Sequence, residues 1–173
     1  MNKIFIKYGL IASAIVVGVP VLSGLFIGFG IDSFAMGEII GYTSMIVAMA
    51  SVFFAIRHFR DNENEGQMSF GEGMKIGLAV SAIGGIAFAI YNWIFVTWVM
   101  PDFNEQYYAY VSGNDIGTPQ FEKGFSEMME TSGFLYSKLG GSFVMFMTVF
   151  MIGLVISVIS SLILQKRNVT PAV

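Results

Sequence analysis

Four long runs of apolar residues decide what this chain can fold into. They are YGLIASAIVVGVPVLSGLFIGFGI (about 8–31), IIGYTSMIVAMASVFFAI (about 39–56), the stretch of about 76–100, and FVMFMTVFMIGLVISVISSLIL (about 143–164). None carries an Asp, Glu, Lys or Arg in its interior. An uncharged apolar run of about 18 residues or more reads as a transmembrane helix, because about 20 residues rising ~1.5 Å each cross the ~30 Å hydrocarbon core. Composition agrees. The 173 residues are 55% hydrophobic and 12% charged, whereas a soluble domain is about 25% charged. The expected fold is all-α: an integral membrane bundle of four transmembrane helices, with an outer amphipathic helical hairpin between the third and fourth. One domain covers 1–168, and 169–173 is read as a disordered tail.

Lys3 and Lys7 precede the first run, as basic residues precede a secretory signal. The run is too long for that role and no A-x-A-like cleavage site ends it, so it reads as an uncleaved helix. Pro20 at its middle is expected to kink it. The chain has no cysteine, which excludes disulfides, thiolate metal ligands and thiol nucleophiles.

Charge sets the orientation. Lys3, Lys7, Arg57, Arg60, Lys75, Lys166 and Arg167 fall on one side of the four spans, and only Lys123 and Lys138 on the other. The positive-inside rule places both termini and the 57–75 loop in the cytoplasm, and Trp93 and Trp98 suit the outer interface. The 101–141 segment is acidic, with Asp102, Glu105, Asp115, Glu122, Glu127 and Glu130. Within it, Phe103, Tyr107, Tyr110 and Val111 share one helical face, and Phe121, Phe125, Met128 and Met129 share another. SGNDIGTP (112–119) separates them as a turn. Thr118 is placed to cap the second helix, Pro119 to open it and Gly133 to end it. An acidic polar face is not drawn to anionic lipid, so the pair is expected to cap the bundle.

Small residues mark the helix faces. Gly73, Gly77, Ser81, Gly85 and Ala89 recur every fourth position, and Gly153, Ser157 and Ser161 repeat the pattern in the fourth span. Lipid tails are as apolar as leucine, so membrane helices associate by close packing, which small residues permit. These lines are read first as packing faces within one protomer, and second as a groove for another chain. Gly24, Gly28, Gly37 and Gly41 form shorter versions.

The loop IRHFRDNENEGQMSFGEGMK (56–75) contains an S-x-x-E capping box, Ser69 to Glu72, so the third helix is expected to begin near Phe70. Its acidic part resembles a calcium loop, with Asp61, Glu63, Glu65 and Glu72 at ligand positions. However, Glu63 and Glu65 are longer than the Asp or Asn normal there. A solvated turn with a helix cap is the preferred reading, and no metal is assigned. Asn92, the deepest strong hydrogen-bonding side chain of the third span, is read as helix glue. Glu38 and His58 are read as interfacial residues. Serine-hydrolase, phosphate-loop and metalloprotease motifs are absent. No catalytic residue and no cofactor are expected, and the few scattered basic residues do not suit nucleic acid.

GYTSMIVAMASVFFAIRHFRDNENEGQMSFGEGMKIG (41–77), followed by YNWIFVTWVMPDF (91–103), resembles a domain-of-unknown-function family of small four-helix bacterial inner-membrane proteins. The resemblance implies four membrane helices in a bacterial cytoplasmic membrane, and no activity. The expected function is that of a non-enzymatic accessory or assembly subunit, in contact with lipid and with a protein partner or a second copy. The alternative is a homo-oligomeric transporter or channel for a small solute, with Tyr42, Ser44, Ser81 and Asn92 along a polar path.

Overall fold

The computed structural model describes residues 2–166. Six helices follow in order: α1 (Asn2–Ile27), α2 (Phe34–His58), α3 (Phe70–Ile94), α4 (Phe103–Ser112), α5 (Pro119–Tyr136) and α6 (Lys138–Leu164). A 3₁₀ turn at Ile31–Ser33 leads into α2, and widened π-helical turns at Phe59–Glu63 and Phe95–Val99 extend α2 and α3. Four helices are long and apolar enough to cross a membrane: Lys3–Ile27, Ile31–Glu63, Phe70–Val99 and Lys138–Leu164. Leu10, Phe26, Ile46, Ile90, Leu162 and Ile163 are exposed along them. Such a surface belongs in lipid, and these features are those of a multi-pass membrane protein.

The helices run longer than the apolar blocks. α2 begins at Phe34 instead of about 39, because the charge of Glu38 does not mark the helix start. α3 begins at Phe70, where Ser69 accepts from the Glu72 backbone N–H and Glu72 accepts from that of Ser69. α1 is helical through Pro20 and ends at Ile27 rather than about 31. α6 starts at Lys138, capped by Ser137, instead of about 143. Thr118 caps α5 with Pro119 in its first turn, but Gly133 does not end that helix. The break is at Ser132 (φ −132°), and helix continues to Tyr136. Arg167 and the 169–173 tail lie outside the described residues.

The most extensive helix pair is α3 with α6, followed by α1 with α2 and α1 with α3. Met49, Val52, Ile56, Met68, Ile76, Val80 and Val149 form the fully buried centre. At that end of the bundle Met68 and Lys166 exchange two backbone hydrogen bonds, 3.0 and 2.9 Å, so the α2–α3 loop is tied to the exit of α6. Lys3, Lys7, Arg57, Arg60 and Lys75 belong to the same end by chain order. At the opposite end α4 packs on the start of α2, where the ring of Phe34 meets Phe103, Tyr107 and Tyr110 edge-on at 5.6–5.8 Å. α4 and α5 join through Gly113 in the left-handed conformation, φ 70°. They meet where Tyr108 packs on Phe121 and Phe125.

Candidate functional site

The small-residue lines of α3 and α6 face each other in antiparallel register. A Cβ added at Gly73 would meet Ser161, one at Gly77 would meet Ser157, and one at Gly153 would meet Ser81. Gly85 lies against the ring and carbonyl of Phe146. Ala89 is half-buried at the far end of the line. Two of the three serines satisfy their hydroxyls within their own helices, which suits a tight seam. Ser81 donates to the Gly77 carbonyl at 2.7 Å and Ser157 to that of Gly153 at 2.6 Å. Ser161 Oγ is buried and has no hydrogen-bond partner among the described residues. The seam is thus occupied within one protomer.

The same register, carried along both helices, brings Asn92 opposite Ser142, and there the packing opens. Asn92 Nδ2 donates to Ser142 Oγ at 3.2 Å. Beside this bond lies a cavity of about 450 Å³ between α2, α3, α4, α5 and α6. Glu38, Tyr42, Asn92, Asn104, Tyr136 and Thr148 line it with polar groups, and Met45, Val96, Phe103, Leu135 and Met145 with apolar ones. Its volume is within the roughly 300–1,000 Å³ of small-molecule sites, which combine apolar walls with a few convergent polar groups.

Two long-range contacts build the roof. Tyr107 Oη donates to Glu38 Oε1 at 2.8 Å, and Asn104 Nδ2 donates to the Tyr136 carbonyl at 2.7 Å. The ring of Phe103 stacks on that of Tyr107, 5.6 Å between centroids and 13° between planes. Burial, and after it the hydrogen bond to Glu38, push the Tyr107 phenol up from its ordinary value of 10.0 to about 12. Loss of its proton would place a second negative charge beside the carboxylate. On its other side the Glu38–Tyr107 pair borders a smaller cavity of about 210 Å³, walled by Pro20, Gly24, Phe29, Phe34 and Phe95.

The residues read as a polar path are divided. Tyr42 and Asn92 share the cavity. Ser44 is buried and donates to the Gly41 carbonyl at 2.7 Å, and Ser81 is in the seam. Beyond the cavity the fully buried side chains of Met49, Val80 and Val149 fill the bundle. Asp61, Glu63, Glu65 and Glu72 do not gather around a point, and no group of three or more such side chains suited to a metal occurs among the described residues. Asp61 pairs with Arg60 at 2.6 Å and Arg57 at 3.5 Å, while Glu72 closes its capping box. His58 packs edge-on against Tyr8 at 5.9 Å. Sequence reasoning missed the Glu38–Tyr107 contact, whose only trace was a carboxyl immediately before an apolar run.

No curated protein and no solved structure matches the chain. The family described as Protein of unknown function (DUF4199) matches residues 7–166. That is nearly the whole sequence, including every helix that forms the seam and the cavity, and the chain therefore belongs to this family.

Proposed function

We propose that the protein is a non-enzymatic accessory or assembly subunit of the bacterial cytoplasmic membrane. Both termini and the α2–α3 loop face the cytoplasm, and the α4–α5 pair forms an outer hairpin. The observation that carries this reading is the division of the surface. The small-residue seam is closed inside the protomer, whereas α4 and α5 expose Glu105, Glu122, Glu127 and Glu130. A closed bundle with an acidic cap offers the cap to a water-facing partner, and charge on such a rim steers association.

Orientation is tested first. The chain has no cysteine, so single cysteines at Asn64 and Glu130 can be labelled in intact cells by a membrane-impermeant maleimide. Labelling at Glu130 and none at Asn64 is expected, and the reverse would overturn the topology. A gentle-detergent pull-down read by mass spectrometry tests the role. One stoichiometric partner is expected, lost when Glu122, Glu127 and Glu130 are all changed to Lys. Recovery of this chain alone would reject the accessory role.

A further inference from the structure

The cavity beside Asn92 has a chemistry that selects its occupant. Among the described residues that line it only Glu38 carries a formal charge, and none is a Lys, Arg or His. The Tyr107 hydroxyl occupies Glu38 Oε1, and no described residue donates to Oε2. Tyr42, Phe103 and Tyr107 line the same cavity as the carboxylate, and the Tyr107 hydroxyl touches it. Aromatic faces near a carboxylate attract a cation, more strongly away from water. An anion placed there would meet Glu38 with no countercharge. The remaining polar side chains, among them Asn92, Asn104, Tyr136 and Thr148, are neutral, Met45, Val96, Leu135 and Met145 are apolar, and the bundle is filled beyond Met45 by Met49, Val80 and Val149. The space is a blind pocket. Tyr42 and Val144, both exposed, stand at its mouth.

We propose that this cavity binds an amphiphile bearing an ammonium group. The cation lies between the Glu38 carboxylate and the rings of Tyr42, Phe103 and Tyr107, and the apolar body follows Met45, Val96 and Met145. A bilayer lipid with an amine headgroup and a free alkylammonium share this chemistry.

The test uses the full chain in nanodiscs and dodecyltrimethylammonium below its micelle concentration, with dodecanol and dodecanoate as chain-matched controls. Saturable binding of the cation at least about tenfold tighter than either control is expected. Glu38→Gln, which keeps shape and removes charge, is expected to abolish that preference. Val144→Trp leaves Glu38 intact and blocks the mouth, so it should reduce binding even where E38Q alters the fold. Equal binding of cation and anion would overturn the proposal. So would a V144W protein, folded by circular dichroism, that binds the cation as the unmodified chain does. Nanodiscs distinguish the two sources of ligand. If the E38Q-sensitive binding weakens in phosphatidylethanolamine relative to phosphatidylglycerol, the headgroup lipid is the occupant. If it is the same in both, a free amphiphile is.

Discussion

The two ends of the α3–α6 pair obey one register and reach opposite results. Toward the α2–α3 loop, glycine faces serine at Gly73, Gly77 and Gly153, and no space is left for a single added carbon. Toward α4, Asn92 faces Ser142 and a cavity of about 450 Å³ opens at their side. Lipid does not push helices together, so contact is as close as the side chains allow. Where both partners are small the backbones meet. Where one is an amide and the neighbouring helix brings Glu38 and Tyr42, the helices enclose space instead. One end therefore supplies rigidity, and the other supplies room.

The sharpest way to break this comparison is to add the same carbon at each end. Gly77→Ala drives a methyl into Ser157, and overpacking of this kind costs about 1–3 kcal/mol. Gly77→Leu should exceed that range. Gly41 borders the cavity and has nothing within 4 Å of an added Cβ. Gly41→Ala should therefore be neutral, or stabilising by a few tenths of a kcal/mol through helix propensity. Unfolding in mixed detergent, followed by circular dichroism, measures both. Equal effects would erase the distinction between the two ends.

A smaller effect is expected at the junction. The Asn92–Ser142 hydrogen bond is a single polar tie between membrane helices, and such ties average about 0.6 kcal/mol. A double-mutant cycle with Asn92→Ala and Ser142→Ala should return a coupling near that value. Near-zero coupling would assign Asn92 to the cavity rather than to helix association.

An effect confined to alkaline pH belongs to Tyr107. Its phenol ionises near 12 in the folded chain rather than at the ordinary 10.0. The folded state therefore holds this proton more tightly than the unfolded state. Its contribution to stability is complete below pH 10 and is lost as the pH rises through about 12. An ultraviolet tyrosinate titration should show a late step that Tyr107→Phe removes.

Much of the frame was legible, for a physical reason. Four uncharged runs have one stable solution in a bilayer, and the caps Ser69–Glu72 and Thr118–Pro119 are local chemistry that needs no tertiary information. The seam residues also stand out by period alone. The cavity was not legible, because it depends on Tyr107 reaching Glu38 across 69 positions of sequence. The same contact explains the misplaced start of α2. A carboxyl looks like the end of a span until its partner is known. The calcium resemblance of the α2–α3 loop likewise rests on spacing alone. Spacing put Asp61 and Glu72 in one loop, but the π-helical turn at Phe59–Glu63 and the capping box direct them to different partners.

The pairing of α3 with α6 has a consequence in time. α3 leaves the ribosome with its line of glycines facing bilayer, and its complement, Gly153 through Ser161, is made only after α4 and α5. At roughly 5–20 residues per second, that interval lasts several seconds. Throughout it, the glycine line of α3 lacks its partner serines from α6. The two bonds between Met68 and Lys166 then latch the loop to the last of the four spans to be synthesised. Biogenesis is thus a race between self-closure and capture of α3 by another small-faced helix, and anything that delays α6 lengthens the exposure.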